Sequence, residues 1–139
     1  MVVGTLTADL TGMTEMTEMT DVIETVERYF EMWNETDPAR RRAVIEATWA
    51  PVASYLDPMF DADGYDALDA MVARVHERFP GHRFRLSGPI DLHHNRARWG
   101  WGFGEPGAEP VAAGVDFAVL ATDGRLGEVT GFITVAPAG

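Results

Sequence analysis

Residues 112–135 have the sequence AAGVDFAVLATDGRLGEVTGFITV. Two largely apolar runs flank Asp123-Gly124, a dipeptide that favours a two-residue β-hairpin turn. We therefore predict a hairpin with strands over residues 116–122 and 125–135. This hairpin decides the fold, because the other strong strand signals come just before it and can extend the same sheet.

Alternating apolar and polar residues predict two more strands, at 82–86 and 98–103. Turns are predicted between them at 91–95 and after them at 105–110, where proline and glycine are concentrated. Together with the hairpin, these segments form an antiparallel meander.

Three amphipathic helices are predicted ahead of the meander. The first has apolar residues at three- and four-residue spacing over 22–33. The second begins at Asp37-Pro38, an N-cap residue followed by proline at the first helical position. The third covers 67–79. A short strand at 52–56 and a turn at 61–64 lie between the second and third helices.

The order of these segments, helices first and strands afterwards, predicts an α+β domain with the helices on one face of the sheet. At 139 residues the chain is most simply one domain. We expect that domain to cover residues 21–139. Residues 1–20 contain the repeat Thr-Glu-Met-Thr-Glu-Met-Thr and little apolar surface, so we expect a mobile N-terminal tail.

Composition excludes several classes of function. The net charge is −11 and all 11 basic residues are arginine, so a nucleic-acid partner is not expected. The chain has no cysteine, which excludes disulfides and thiol catalysis. No apolar run approaches the roughly 20 residues that span a bilayer, and the N-terminus does not resemble a signal peptide. We expect a cytoplasmic protein without membrane contact.

Asp116 is the leading candidate for a functional residue. It lies in the middle of the apolar run 112–120, where burial of a carboxylate is costly unless the group is neutralised or hydrogen-bonded. A structural aspartate with a buried partner is the alternative explanation. Either explanation requires a specific partner for the side chain.

Several motifs together resemble the NTF2-like superfamily, and within it the SnoaL-like proteins and the Δ5-3-ketosteroid isomerases. The resemblance covers roughly residues 21–136. The motifs that carry it are Tyr29-Phe30-x-x-Trp33-Asn34, Tyr55-Leu56-Asp57-Pro58, Gly64-Tyr65-Asp66-Ala67-Leu68, Phe79-Pro80-Gly81 and the segment around Asp116 with its following hairpin. It implies a cone in which a curved antiparallel sheet wraps around three N-terminal helices, an apolar pocket, and a homodimer formed through sheet faces.

The resemblance also implies a catalytic set. Ketosteroid isomerases use a carboxylate base with a tyrosine and a protonated aspartic acid that stabilise the dienolate oxygen. By position, Asp57 matches the base, while Tyr29 and Asp116 match the two donors. Asp57-Pro58 is also a common turn device, and either Tyr29 or Phe30 could face the core.

Aromatic residues supply the predicted ligand pocket. A flat apolar ligand would be bound by Trp33, Tyr55, Trp99, Trp101 and Phe103. For any one of these side chains, a purely structural place in the core is an alternative. Trp99 and Trp101 share one side of their strand, while Arg98, Gly100 and Gly102 share the other, so one side can face the helices and the other a partner.

Two functions remain open at this point. The first is a cofactor-independent isomerase or polyketide cyclase that moves a proton next to a carbonyl group. The second is a non-catalytic pocket protein or dimeric interaction domain. No cofactor is expected, and the four histidines do not show the spacing of a metal site. His76 or His82 could assist at the pocket mouth.

Overall fold

The computed structural model describes the backbone of residues 2–136 and the side chains of residues 18–136. It contains three helices packed against a curved, mixed sheet of six strands. In chain order the elements are α1 (Val2–Asn34), α2 (Pro38–Thr48), β1 (Trp49–Leu56), β2 (Asp61–Asp63), α3 (Gly64–Arg78), β3 (Arg83–His93), β4 (Arg96–Gly104), β5 (Ala112–Leu120) and β6 (Leu126–Val135).

The sheet is ordered β2-β1-β6-β5-β4-β3. The predicted meander is confirmed, because β3, β4, β5 and β6 pair with their neighbours in antiparallel fashion. The expected cone of three helices and a curved sheet is confirmed, but the sheet is mixed rather than antiparallel throughout, since β1 pairs with β6 in parallel. The connection from β1 to β6 passes through α3 and the rest of the meander, and such a crossover allows parallel neighbours.

Residues 61–63 form a strand, where the sequence predicted only a turn. The chain reverses between Asp57 and Phe60, where the Asp57 N–H donates to the Phe60 carbonyl at 2.9 Å. This tight reversal returns β2 beside β1 in antiparallel pairing, with Tyr55 opposite Ala62. The acidic side chains at either end of β2 are exposed, which suits the edge position of this strand.

The turn predicted at 91–95 is shorter than expected, because β3 continues to His93. The strand is irregular between Ser87 and Asp91, where Gly88 has a φ of 80°. That irregularity lets the chain pass a Gly-Pro step and resume pairing with β4. The turn itself is confined to His94, with a φ of 52°, and Asn95.

The helix boundaries agree with the capping signals for α2. Asp37 is its N-cap, with the carboxylate accepting the Arg40 N–H at 2.9 Å, and Pro38 occupies the first turn. The helix α1 begins at Val2 rather than near Asp21. The expected mobility of residues 1–20 stays a prediction, because the side chains before Glu18 lie outside the described residues.

Fully buried aromatic side chains join α1 to the sheet. Tyr29 contacts Trp49 and Trp99, with ring centroids 6.0 and 5.2 Å away. Asn34, at the end of α1, exchanges two hydrogen bonds of 2.8 Å with the backbone of Phe84 on β3. These contacts fix the register of α1 against the inner face of the sheet, and so fix the position of Tyr29. Among the described helices, none is long and apolar enough to span a membrane.

Candidate functional site

Asp116 lies on the inner face of β5 and is 3% exposed. Its neighbours across the sheet are Trp99 on β4 and Gly131 on β6. The Tyr29 hydroxyl on α1 donates a hydrogen bond to Asp116 Oδ2 at 2.8 Å. The other oxygen, Oδ1, is buried with no hydrogen-bond partner among the described residues, and the same is true of Trp99 Nε1. Asp116 therefore retains one free oxygen in the protein interior.

The apolar surroundings of Asp116 favour its neutral form. Burial raises the pKa of Asp116 from its ordinary value of 3.8 to about 7, and the negative charge of Asp57 adds to this rise. The hydrogen bond that Tyr29 donates to Asp116 acts in the opposite direction. Burial, followed by the charge of Asp116, also raises the pKa of the Tyr29 hydroxyl well above 10. Tyr29 consequently acts as a donor rather than as an anion at neutral pH.

Asp57, unlike Asp116, is surrounded by hydrogen-bond donors. Its Oδ1 accepts the backbone N–H groups of Met59 and Phe60, each at 2.7 Å, and its Oδ2 accepts the Tyr55 hydroxyl at 2.6 Å. The carboxyl group of Asp57 is therefore the acceptor in all three hydrogen bonds. The turn function considered for Asp57-Pro58 is therefore present, and the side chain also faces the cavity described below.

Gly131 brings the two carboxyl groups together. A Cβ atom at this position would lie 2.9 Å from Asp116 Oδ1 and 3.3 Å from both the Asp57 Cβ and the Tyr55 hydroxyl. The three side chains thus converge on one point above β6. Any larger residue at 131 would displace at least the Asp116 carboxyl, so the glycine leaves the space that this arrangement requires.

These groups line a cavity of about 440 Å³ between α1, α3 and the sheet. That volume falls within the range of small-molecule sites, roughly 300–1,000 Å³. The cavity wall is largely aromatic and includes most of the residues predicted from sequence: Tyr29, Trp33, Tyr55, Asp57, Trp101, Phe103 and Asp116. Phe30 also lines it, but Tyr29 is the residue that reaches Asp116.

Trp99 is the one predicted site residue that does not line the cavity. It is 1% exposed and packs edge-on against Tyr29. Trp101, in contrast, lies over Gly114, where a Cβ would come within 2.5 Å of the indole Cζ2. The small residue on β5 therefore allows the Trp101 ring to lie flat on the sheet and form part of the wall.

Sequence analysis missed three charged residues of α3 that line the cavity: Arg74, Glu77 and Arg78. All three are exposed, so they lie where the cavity opens to solvent. Their spacing contained only a weak signal, because Arg78 is three residues from the apolar Val75 and four residues from Arg74, spacings that bring side chains to neighbouring positions on a helix. The charges of these residues argued against a place at the cavity, since arginines on an amphipathic helix usually lie on its solvent face.

The histidines lie outside this cavity. His76 Nε2 is 2.7 Å from the Trp33 carbonyl, and His82 Nδ1 is 3.2 Å from the Pro80 carbonyl. His93 and His94 are exposed. Within residues 18–136, no group of three or more histidine, aspartate or glutamate side chains is arranged as a metal site would require.

Comparison with solved structures identifies the family. A candidate isomerase of the SnoaL-like family from Agrobacterium tumefaciens superimposes with a TM-score of 0.78 and is 36% identical, over 83% of this chain and 98% of that chain. The protein belongs to the SnoaL-like family. No protein-family model matches the sequence, and no curated protein does.

More distant structures share the fold of this SnoaL-like protein. A candidate SnoaL-like polyketide cyclase from Jannaschia is 20% identical with a TM-score of 0.64, over 84% of this chain and 87% of that chain. A protein with a cystatin-like fold from Methylobium petroleophilum is 17% identical with a TM-score of 0.68, over 86% of this chain and 80% of that chain. At these identities the likeness concerns the fold alone, so the activity has to be argued from the site.

Proposed function

We propose that this protein is a cofactor-independent enzyme that moves a proton next to the carbonyl group of a small apolar compound, as an isomerase or a cyclase. The observation that carries the proposal is the pair of carboxyl groups at the end of one aromatic cavity. Asp57 accepts three hydrogen bonds, while burial raises the pKa of Asp116 to about 7. Two carboxyl groups in such different environments can divide the roles of base and donor.

The proposed reaction needs only these side chains. Asp57 accepts a proton from the carbon next to the carbonyl, and the electron pair moves onto the carbonyl oxygen. Asp116, supported by the hydrogen bond from Tyr29, donates from Oδ1 to that oxygen and stabilises its charge. An isomerase returns the proton to another carbon. A cyclase uses the enolate carbon to attack a second carbonyl of the same ligand.

Deuterium exchange tests the proposal without knowledge of the product. A panel of steroid-like and polyketide-like ring ketones is incubated with the protein in heavy water, and mass spectrometry follows deuterium at the carbon next to the carbonyl. We expect at least one ketone to exchange faster with the protein than in buffer. Binding of ketones without exchange or turnover would contradict catalysis.

The second candidate function is a non-catalytic pocket protein, and the hydrogen bonds of Asp57 favour it. Both Oδ1 bonds cap the turn at residues 57–60, so the carboxylate has a structural role that requires no reaction. The deuterium experiment separates the two candidates, because a binding protein has no reason to accelerate exchange.

We also propose that the protein is a homodimer formed through the outer face of the sheet. Phe132 on β6 is 61% exposed and lies opposite Val115 on β5. Val115 in turn pairs with Gly100 on β4, so one outward row is apolar across three strands. An exposed apolar row of this kind is typical of an interaction surface.

Sedimentation equilibrium at micromolar concentration should show a dimer. Phe132→Glu places a charge in the apolar row, and we expect it to give a monomer. Ile23→Glu, at a 38% exposed position on α1, is the matched control and should remain dimeric. A wild-type protein that is monomeric at this concentration would refute the dimer.

A further inference from the structure

Two arginines of α3 line the open side of the cavity. Arg74 and Arg78 are one helical turn apart, on the face that also presents Val75 and Phe79 to the cavity. Both guanidinium groups belong to exposed residues, whereas Asp116 and Tyr29 at the other end are buried. The cavity is therefore polar at both ends and aromatic between them.

This placement has an energetic cost. Like charges at i and i+4 repel each other on the surface of a helix. The Arg74 side chain makes no hydrogen bond, ion pair or ring contact with another residue in the described part of the chain. The Arg78 guanidinium lies 5.5 Å from the centre of the Phe79 ring, which forms part of the cavity wall. An anion beside Arg74 would reduce this repulsion.

The charges around the cavity give a bound anion one favourable position. Glu77 lies on the same edge as the two arginines, so that edge carries two positive charges and one negative charge. The other end contains Asp57, whose negative charge would repel a second carboxylate. A ligand with one acidic group would therefore bind with that group at the α3 edge and with its carbonyl group at Asp116.

We propose that the ligand of this cavity is an acidic ring ketone whose carboxylate is bound by Arg74 and Arg78. A planar guanidinium pairs with a carboxylate through two parallel hydrogen bonds, which fixes orientation as well as affinity. The inference rests on the proposed function, because it takes Asp116 as the site of the carbonyl oxygen. It narrows the substrate class from apolar ketones to ketones with a carboxylate at the far end.

Phenols with and without a carboxylate test the inference, since a phenol mimics the enolate at Asp116. The probes are 6-hydroxy-2-naphthoate and 3-(6-hydroxynaphthalen-2-yl)propanoate, each compared with its methyl ester by calorimetry at pH 7. The two acids differ in the distance between the phenol and the carboxylate group. We expect at least one acid to bind about tenfold more tightly than its ester, equivalent to one charge-assisted contact. The preference should weaken in 0.5 M salt, which screens exposed charges.

Three variants assign the preference to residues. In Arg74→Gln and in the double variant Arg74→Gln/Arg78→Gln, the ratio of ester to acid Kd should fall stepwise towards one. Arg40→Gln removes the same charge from an exposed position on α2 that does not line the cavity, and it should keep the wild-type ratio.

Each contrary result has a distinct meaning. Esters that bind as tightly as both acids would overturn the inference and leave the proposed function intact. A preference that survives in the double variant would overturn the assignment to Arg74 and Arg78. If neither acids nor esters bind, the enolate site at Asp116 and the inference that rests on it both fail.

Discussion

Asp57→Asn should abolish proton transfer while leaving the binding of an enolate mimic largely intact. The amide oxygen can still accept the N–H groups of Met59 and Phe60, so the turn at 57–60 should persist. The amide cannot act as a base. Removal of a general base typically costs about 10²–10⁴-fold in rate. Deuterium exchange into a responsive ketone measures the loss, and calorimetry with 2-naphthol measures mimic affinity.

A matched control for this variant is Tyr55→Phe. It removes the hydroxyl that donates to Asp57 Oδ2 at 2.6 Å but keeps the carboxylate and the aromatic wall. We expect Tyr55→Phe to exchange at a reduced but measurable rate, since the base is retained and only its orientation is weakened. Exchange by Asp57→Asn at the wild-type rate would show that Asp57 is only a turn residue.

Asp116→Asn should stabilise the protein at pH 8 and change its stability little at pH 4. The folded-state pKa of Asp116 is raised to about 7 from its ordinary value of 3.8. Between these values the folded protein holds a proton that the unfolded chain has released, so wild-type stability falls as pH rises. At about 1.36 kcal/mol for each pKa unit, the rise in the pKa of Asp116 corresponds to a loss of about 4 kcal/mol in the free energy of unfolding of the wild type. Asparagine is neutral throughout and avoids this loss.

Thermal or urea unfolding of both proteins from pH 4 to pH 8 measures the effect. The difference in the free energy of unfolding between Asp116→Asn and the wild type should grow up to about pH 7 and then level off. Above the folded-state pKa, Asp116 is ionised in both the folded and the unfolded wild type. Asp91→Asn, at an exposed ion pair with Arg98, is the control and should show no comparable trend. A difference that does not change with pH would mean that Asp116 titrates normally.

Mimic binding gives an independent measure of the same carboxyl group. Asparagine keeps a donor of similar shape at position 116, whereas alanine removes it. We expect Asp116→Ala to weaken 2-naphthol binding about tenfold or more, and Asp116→Asn to weaken it less. Equal affinity in Asp116→Ala and wild type would leave Asp116 with a purely structural role.

Local signals predicted most of the fold and singled out Asp116, whereas Tyr29 and Asp57 were assigned through the resemblance to a known family. Asp116 was identifiable because a carboxylate inside a nine-residue apolar strand needs a partner, and Tyr29 is that partner. The Asp37-Pro38 and Asp123-Gly124 signals were also local, and the structure places a helix start and a hairpin there. The predicted two-residue turn is wrong in length, because β5 ends at Leu120 and β6 begins at Leu126, which leaves a five-residue connection over 121–125. For the helix start and the hairpin, the physical cause lies within a few residues of the signal, whereas Asp116 depends on a partner 87 residues away.

The remaining features depend on contacts between distant segments. Gly131 became part of the site only through the register of β5 with β6, which sets it opposite Asp116. Similarly, β2 is too short for its own periodicity to be visible and is defined by its pairing with β1. Arg74 could be placed at the cavity only once the rotation of α3 against the sheet was known. Registers and rotations of this kind are tertiary properties that a single sequence does not display.

The parallel pairing of β1 with β6 has a consequence for how the protein folds. The meander from β3 to β6 can form from neighbouring segments, but Asp57 reaches Asp116 only when β1 docks beside a strand far along the chain. Contacts of such high sequence separation close slowly, because their loop entropy is lost before the contact forms. The site should therefore be among the last parts to assemble, so that a chain with its helices and hairpins already formed still lacks a binding pocket.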